Sequence, residues 1–264
     1  MHLIALTSAL ILGAASPSTA SVERSFSALS LCKDLQSQRC LIAVSELEEA
    51  GPKALQYMTP RFSSMSALGQ MLALSIYGGN PSTEATIGLS KLVLNKKLSP
   101  SIRGVAIQTL AERFDGRRTK RIVRTTLMTS AKDKHAAIRA ASVRALGNRV
   151  KGGDSHIINL LRRAAGDEVA MVRSEAILGL AMSRRDDVSS ILINALRDPV
   201  MRVRIAAADG LSFVKSESSL EPLIACLQAD EGLLRRVASE ALTYQTGLQF
   251  GDDYLLWREW LLNR

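Results

Sequence analysis

Apolar and polar positions along this chain follow one pattern that recurs five times between residues 99 and 242. An acidic residue opens the segment, an aliphatic residue and Arg follow, and Leu comes seven residues after that Arg. The copies are DKHAAIRAASVRAL from Asp133, DEVAMVRSEAILGL from Asp167, DPVMRVRIAAADGL from Asp198, the one-residue-shorter DEGLLRRVASEAL from Asp230, and SPSIRGVAIQTL from Ser99, which lacks the acid. Apolar residues within a copy fall at three- and four-residue steps, which is the spacing of one helix face.

The recurring arginines define the period of the pattern. They lie 36, 34, 31 and 31 residues apart, at Arg103, Arg139, Arg173, Arg204 and Arg235. A period of this length is typical of a solenoid. Other amphipathic stretches, such as residues 157–165 and 188–196, separate the copies. Each unit is therefore predicted to be a helix pair, and neighbouring pairs must stack to bury their apolar faces.

The pattern predicts five helix pairs and a terminal helix. The pairs are 81–95 with 100–114, 117–130 with 134–149, 155–165 with 168–183, 186–197 with 199–214, and 220–229 with 231–245, and the terminal helix is 253–262. Asp198-Pro199 predicts an N-cap followed by Pro at the first helical position, and Asn80-Pro81 and Ser99-Pro100 give the same signal. Before residue 80, weak helices are expected over 41–49 and 52–58, and a well-defined helix is expected over 63–76.

The D-x5-[VI]R-x2-A-x3-L segments resemble the HEAT-repeat family in its short bacterial, PBS-lyase-like form. A TG-x2-FG-x-D-x3-W-x2-W ending that often closes such arrays is matched by Thr246, Gly247, Phe250, Gly251, Asp253, Trp257 and Trp260. The resemblance implies an all-α fold over residues 41–264, a right-handed α-solenoid of stacked antiparallel helix pairs. It also implies that the second helix of each pair lies on the concave side. It does not imply one function, because one fold hosts many functions.

The N-terminus carries the pattern of an export signal. Residues 2–20 contain no charged side chain, and a short apolar run from Leu3 to Ala15 ends in small residues. We predict a signal peptide over residues 1–20, cleaved after Ala20, and a periplasmic or extracellular mature protein. A buried N-terminal helix is the alternative. Residues 21–40 are expected to form a lead-in and an N-terminal cap.

Two of the three cysteines flank a short polar stretch. A disulfide between Cys32 and Cys40 is plausible in an exported protein, and the alternative is two buried thiols on a helix. A bridge requires a turn, because residues eight apart in one helix are separated by about 12 Å. Cys226 lies on an apolar helix face and is expected to be a small core residue.

Charge is concentrated in one part of the chain. Residues 91–163 contain 18 basic and 4 acidic side chains, a net charge of +14, whereas residues 21–90 and 164–264 carry net charges of −1 and −4. A clustered basic field attracts anionic partners. The candidate residues for binding an anionic partner are Arg117, Arg118, Arg121, Arg124, Arg139, Arg144 and Arg149. The alternative is a solvated face without a partner.

Recurrent acid–Arg pairs and a cluster of aromatics each allow two interpretations. Asp133, Asp167 and Asp198 lie six residues before Arg139, Arg173 and Arg204. They could act on a ligand, or each Asp could cap its helix and pair with an Arg to orient stacked repeats. Tyr254, Trp257 and Leu261 share one face of the terminal helix. They could form a binding platform, or they could cover the open end of the last repeat.

No catalytic, cofactor or metal motif is present in the sequence. His2, His135 and His156 have no second ligand at metal-binding spacing, and HExxH, GxSxG, P-loop and GxGxxG patterns are absent. We therefore expect a non-catalytic exported scaffold or adaptor that binds another protein through the concave face. The alternative is electrostatic binding of an anionic polymer, nucleic acid or membrane lipid through residues 91–163, and a lyase-like repeat enzyme is the third hypothesis. No cofactor or small-molecule substrate is indicated.

Overall fold

The computed structural model describes residues 17–150 and 154–264, which form helices and connecting turns with no strand. The chain divides into two compact units at the Gly88–Leu89 boundary, and each is described by itself. The predicted signal peptide falls mainly on residues 1–16, outside the described residues. None of the described helices is long and apolar enough to span a bilayer.

Unit 1 is built from four helices and the beginning of a fifth. These are α1 (Thr19–Ser30), α2 (Gln38–Ala50), α3 (Pro52–Arg61), α4 (Ala67–Gly79) and α5 (Thr83–Leu94). Ser18 caps α1 by accepting a hydrogen bond from the Ser21 N–H. Val22, Phe26 and Leu29 of α1 are buried. Residues 19–30 are therefore a packed helix, where the sequence suggests a lead-in.

A disulfide joins Cys32, just after α1, to Cys40 in the first turn of α2. The two Cα atoms are 5.9 Å apart, and both side chains are buried. The chain leaves the helical path between residues 31 and 37, which supplies the turn that the eight-residue separation requires. Cys226 in unit 2 is a buried free thiol, and burial raises its pKa.

Unit 2 stacks antiparallel helix pairs. Its helices are α6 (Pro100–Ala111), α7 (Lys120–Ser130), α8 (Ala136–Gly147), α9 (Ser155–Ala164), α10 (Ala170–Met182), α11 (Ser189–Ala195), α12 (Met201–Gly210), α13 (Leu220–Cys226), α14 (Gly232–Thr246) and α15 (Tyr254–Leu262). The pairs are α7–α8, α9–α10, α11–α12 and α13–α14, and the second helices form a continuous row from α6 through α8, α10 and α12 to α14. This α-solenoid architecture agrees with the fold class that the repeat period predicts.

Close backbone approach holds the row of second helices together. A Cβ atom on Gly147 of α8 would lie 2.7 Å from the Cα of Gly179 in α10, and a Cβ on Gly179 would lie 2.9 Å from the Cα of Gly147. At the next step of the row, a Cβ on Gly210 would lie 2.9 Å from the Ala181 Cβ. Only glycine permits the first of these contacts, because any side chain would force the two backbones apart.

Charged side chains connect each second helix to the next repeat, and we call this series the Arg–acid ladder. Its five pairs are Arg103 with Asp133, Arg139 with Asp167, Arg173 with Asp198, Arg204 with Glu231, and Arg235 with Asp252. Arg139 and Arg173 each donate two hydrogen bonds of 2.8 Å to the two carboxylate oxygens of their partners. Such bidentate pairs fix orientation as well as distance.

Four of the five ladder arginines, from Arg139 onward, also close the loop of their own repeat. Arg173 Nη1 donates to the Asp167 carbonyl oxygen at 2.9 Å, and Arg204 Nη1 donates to that of Asp198 at 2.9 Å. The carboxylate of Asp198 in turn accepts the Val200 N–H at 2.9 Å. The acids are thus occupied by arginine and backbone donors, which is the arrangement expected if the ladder orients stacked repeats.

Two of the predicted helix starts are wrong, and one is correct. Ser99 caps α6 with Pro100 at the first position. The helix after Asp198 instead begins at Met201 with Val200 as N-cap, because the Asp198 carboxylate bonds the Val200 N–H and Arg173 before the helix starts. Similarly, Asn80 accepts the Ser82 N–H, and the Ser82 hydroxyl accepts the Ala85 N–H at the start of α5.

The aromatic tail closes the last repeat. Trp257 is fully buried, donates from Nε1 to the Gly251 carbonyl oxygen at 2.8 Å, and meets the Phe250 and Trp260 rings edge to face. Gly247 adopts a left-handed conformation (φ 81°) at the end of α14, which lets the chain turn towards α15. These contacts favour the capping interpretation over an exposed aromatic platform.

We expect Gly179→Ala to lower the free energy of unfolding by about 1 to 3 kcal/mol, because the added methyl overpacks the α8–α10 contact. The matched control is Gly104→Ala in α6, where a Cβ would meet no atom within 4 Å. That variant should be about 0.5 to 1 kcal/mol more stable, since alanine favours helix. Urea denaturation followed by circular dichroism measures both. Equal effects of the two substitutions would contradict the close-contact assignment.

Acid should weaken the Arg–acid ladder. Hydrogen bonds from Arg173 hold the pKa of Asp198 below its usual value, although burial opposes them. The stabilisation is therefore fully present above about pH 4 and is lost as the pH falls through the lower folded-state pKa. Asp198→Asn should lower the free energy of unfolding by about 1.5 to 3 kcal/mol at pH 7.

The difference between wild type and this variant should shrink as the pH approaches 2, as measured by urea denaturation at several pH values. Asp187→Asn is the control, because Asp187 pairs with Arg185 on the exposed surface, where ion pairs contribute little. A loss in the control equal to that of Asp198→Asn would show that burial of the ladder does not matter.

Candidate basic groove between α7 and α9

A groove of about 790 Å³ lies between α7 and α9, the first helices of two adjacent repeats. It is lined by Arg117, Lys120, Arg121, Arg124, Thr125, Met128, Thr129, Lys132, Leu160 and Arg163. Six of these ten residues are basic, and none is acidic. We call it the basic groove.

Helical spacing aligns most of the lining along α7. Arg121, Arg124 and Met128 follow one another at three- and four-residue steps, so their side chains lie on one face of α7, and Lys132 lies in the turn just after the helix. The 11 residues of α7 span about 16 Å at 1.5 Å per residue. The positive charge therefore forms a stripe along the whole helix.

Most of these cations are uncompensated. Arg117, Lys120, Arg121, Lys132 and Arg163 are exposed, and within residues 17–150 and 154–264 no carboxylate forms an ion pair with any of them. Arg124 is the exception, with Nη1 3.2 Å from the Asp154 carboxylate, which also caps the start of α9.

The floor of the groove is apolar. Leu160 of α9 is 4% exposed, and Met128 of α7 is partly buried beside it in the lining. The hydroxyls of Thr125 and Thr129 add hydrogen-bonding groups next to the cations. An occupant can thus bury apolar surface while its anionic groups meet the basic rim.

The groove follows from the packing on the other side of the repeats. α8 and α10 approach through Gly147 and Gly179, whereas α7 and α9 make few close backbone contacts. The two repeats thus touch closely along their second helices and are less closely packed along their first helices. The separation leaves the space that the basic residues line.

The structure groups only part of the predicted anion-binding set. Arg117, Arg121 and Arg124 line the groove, and Arg118 is exposed outside its lining. The other three are engaged elsewhere, since Arg139 pairs with Asp167, Arg144 with Glu175 at 3.0 Å, and Arg149 with Asp115. These three do not join the groove.

Several lining residues are absent from the predicted site. Lys120 and Lys132 belong to the same basic block, and their helical spacing from Arg124 and Met128 is the signal that places them on the groove face. Arg163 and Leu160 come from α9, and they carry no sequence signal, because only the stacking of repeats brings α9 beside α7.

The two histidines in the described part of the chain lie at the starts of two different helices. His135 is the N-cap residue of α8, and His156 lies in the first turn of α9. No group of three His, Cys, Asp or Glu residues suited to a metal occurs in the described part of the chain.

Comparison with known proteins agrees with the repeat architecture. A family model described as HEAT repeats matches residues 89–181 and 157–243, which together exceed half of the chain. No curated protein matches the sequence.

Solved structures of repeat proteins resemble the chain at low identity. The crystal structure of YibA from Escherichia coli is 20% identical with a TM-score of 0.59, and the match covers 97% of this chain and 100% of YibA. Human deoxyhypusine hydroxylase in complex with glycerol is 17% identical with a TM-score of 0.39, covering 87% and 97% of the two chains. A designed armadillo repeat protein in complex with the peptide (KR)4 is 15% identical with a TM-score of 0.41, covering 85% and 99%.

The family match begins at Leu89, where unit 2 begins, and it extends through the helix pairs that carry the Arg–acid ladder. The chain therefore belongs to the HEAT-repeat family.

Proposed function

We propose that this protein is a non-catalytic scaffold that binds an acidic segment of another protein in the basic groove. The observation that carries the proposal is the combination of six basic side chains with an apolar floor in one groove between two first helices. Like charges held close together repel one another, and an anionic occupant relieves that repulsion. The field also speeds encounter with acidic partners.

The apolar floor favours a protein segment over a polymer or a lipid surface. Met128, which is only partly buried, can be covered by aliphatic side chains, which polyphosphates and nucleic-acid backbones lack. The only aromatic residue within 91–163 is Phe114, and it is buried, so it cannot stack on bases. A flat membrane does not fill a groove between two helices.

Arginine suits this role because its planar guanidinium binds a carboxylate through two parallel hydrogen bonds. Among the described residues that line the groove there is no His, Cys, Asp or Glu to act as a general base or nucleophile, which supports binding rather than catalysis. Binding of an anionic partner near the second helices is less well supported. The basic residues in that region, Arg139, Arg144 and Arg149, are already paired with acids.

We further propose that the protein is exported. The uncharged apolar run before Ser16 and the Cys32–Cys40 disulfide support this independently, because disulfides persist in oxidising compartments. Cleavage after Ala20 would remove the Ser18 cap and the first two residues of α1, and it would leave a mature chain that keeps the disulfide and unit 2.

Thiol counting tests the disulfide in protein purified from the native compartment. Denatured, unreduced protein should react at one thiol, that of Cys226, and at three after reduction. Cys226→Ser serves as the control and should leave no reactive thiol before reduction. Three reactive thiols without reduction would contradict both the disulfide and the support it gives to export.

Charge reversal tests the groove. We expect Arg121→Glu with Lys132→Glu to weaken binding of a fluorescein-labelled peptide of alternating Glu and Leu by at least tenfold, as measured by fluorescence anisotropy. The matched control is Lys96→Glu with Lys97→Glu, which makes the same change in net charge at exposed positions outside the groove. The control should retain the affinity of the wild type.

The nature of the partner is tested with three further probes: the same peptide with Ser in place of Leu, single-stranded DNA, and vesicles containing anionic lipid. The peptide with Leu should bind most tightly and should retain part of its affinity at 200 mM NaCl, whereas binding to polyanions falls steeply with salt. Tighter binding of DNA or of vesicles would show that the partner of the groove is a nucleic acid or a membrane surface and not an acidic protein segment.

A further inference from the structure

Three exposed apolar side chains occupy the same position in three consecutive repeats. Met182, Phe213 and Tyr244 each lie nine residues after the ladder arginine of their repeat, and their side chains are 37%, 44% and 71% exposed. The two preceding copies have Glu112 and Asn148 at this position. An apolar side chain at this position therefore occurs only in the last three of these five repeats. We call Met182, Phe213 and Tyr244 the apolar row.

The apolar row runs across neighbouring second helices. Met182 ends α10, Phe213 follows α12 by three residues, and Tyr244 lies near the end of α14. These helices pack consecutively, with Gly210 of α12 close against Ala181 of α10. Packed helices lie about 8 to 10 Å apart, so equivalent positions repeat at about that interval.

Acidic side chains lie one helical turn before the last two members of the row. Asp209 and Glu240 are exposed, four residues before Phe213 and Tyr244 respectively. Glu240 pairs with Arg236 at 3.0 Å, whereas Asp209 has no cationic partner in the described part of the chain. Although the residue is exposed, partial desolvation of its carboxylate, assisted by the charge of Glu240, raises the pKa of Asp209. A cation placed beside this pair would be favoured.

We propose that the apolar row is a docking surface for an extended peptide segment that carries an apolar residue at every third position and basic residues between them. In a polyproline II conformation, residues three apart lie on one side of the chain and are separated by about 9 Å, which matches the spacing of the helices. An α-helix would present apolar residues about 5 to 6 Å apart along its face, and half of them would find no partner in the row. The unpaired carboxylate of Asp209 favours basic residues.

This surface is separate from the basic groove, because it is formed by second helices, whereas the groove lies between first helices, and because it attracts the opposite charge. The proposal therefore does not depend on the function of the groove. Arg121→Glu with Lys132→Glu should leave binding to the apolar row unchanged.

The test uses a fluorescein-labelled nine-residue peptide, Leu-Pro-Arg repeated three times, and the full chain. We expect Phe213→Ser with Tyr244→Ser to weaken its binding at least tenfold and Asp209→Asn to weaken it about threefold, as measured by fluorescence anisotropy. Leu255→Ser, at a 74% exposed position of α15, is the control and should bind like the wild type. Circular dichroism checks that each variant remains folded.

A second peptide of the same composition, with three Leu, three Pro and three Arg in blocks, tests the spacing. It should bind at least fivefold more weakly than the alternating peptide. Equal binding of the two peptides, or an unchanged affinity of the Phe213/Tyr244 variant, would overturn the proposal. Self-association of the wild type that is lost in that variant, detected by analytical ultracentrifugation, would also overturn it, because the row would then be occupied by a second copy.

Discussion

Neighbouring repeats in unit 2 can stack only if their second helices approach closely, and the glycines at the α8–α10 contact make that approach possible. Gly147 and Gly179 place two backbones where no side chain fits between them. The Arg–acid ladder then fixes how far each repeat is rotated on the next, because its bidentate pairs tolerate little change in geometry. The groove between α7 and α9 is the result of this packing on the opposite side of the same repeats.

Much of the architecture could be predicted from the sequence, because helix pairs with a 31- to 36-residue period leave few other ways to bury their apolar faces. The sequence predicts that the recurring Asp and Arg side chains pair with one another. It does not say whether Asp167 pairs with an Arg of its own repeat or with Arg139 of the preceding one. Asp198 misled the prediction of a helix start because its carboxylate is held by Arg173 from the preceding repeat. Such an interaction between repeats competes with local capping and leaves no local signal.

The candidate binding site was less predictable than the fold. A count of charges identifies residues 91–163, but it cannot separate cations with a structural partner from cations without one. Arg144 and Arg149 belong to the first group because Glu175 and Asp115, each more than 30 positions away in sequence, lie beside them. Arg121 and Lys132 belong to the second group and face Leu160 across the gap between repeats. The three-dimensional structure is needed to make this division.

The last two steps of the Arg–acid ladder differ from the others in a way that bears on how such arrays change in length. Interior arginines meet an Asp two residues before the N-cap, whereas Arg204 meets Glu231, which is itself the N-cap of α14, and Arg235 reaches Asp252 in the tail. An interior repeat could be duplicated in evolution with every new arginine satisfied by the Asp of its copy. The α13–α14 repeat could not be copied inward in the same way, since its arginine takes its acid from a segment that occurs once. Growth of the array is therefore expected from the middle, with the C-terminal repeat and its tail inherited as one piece.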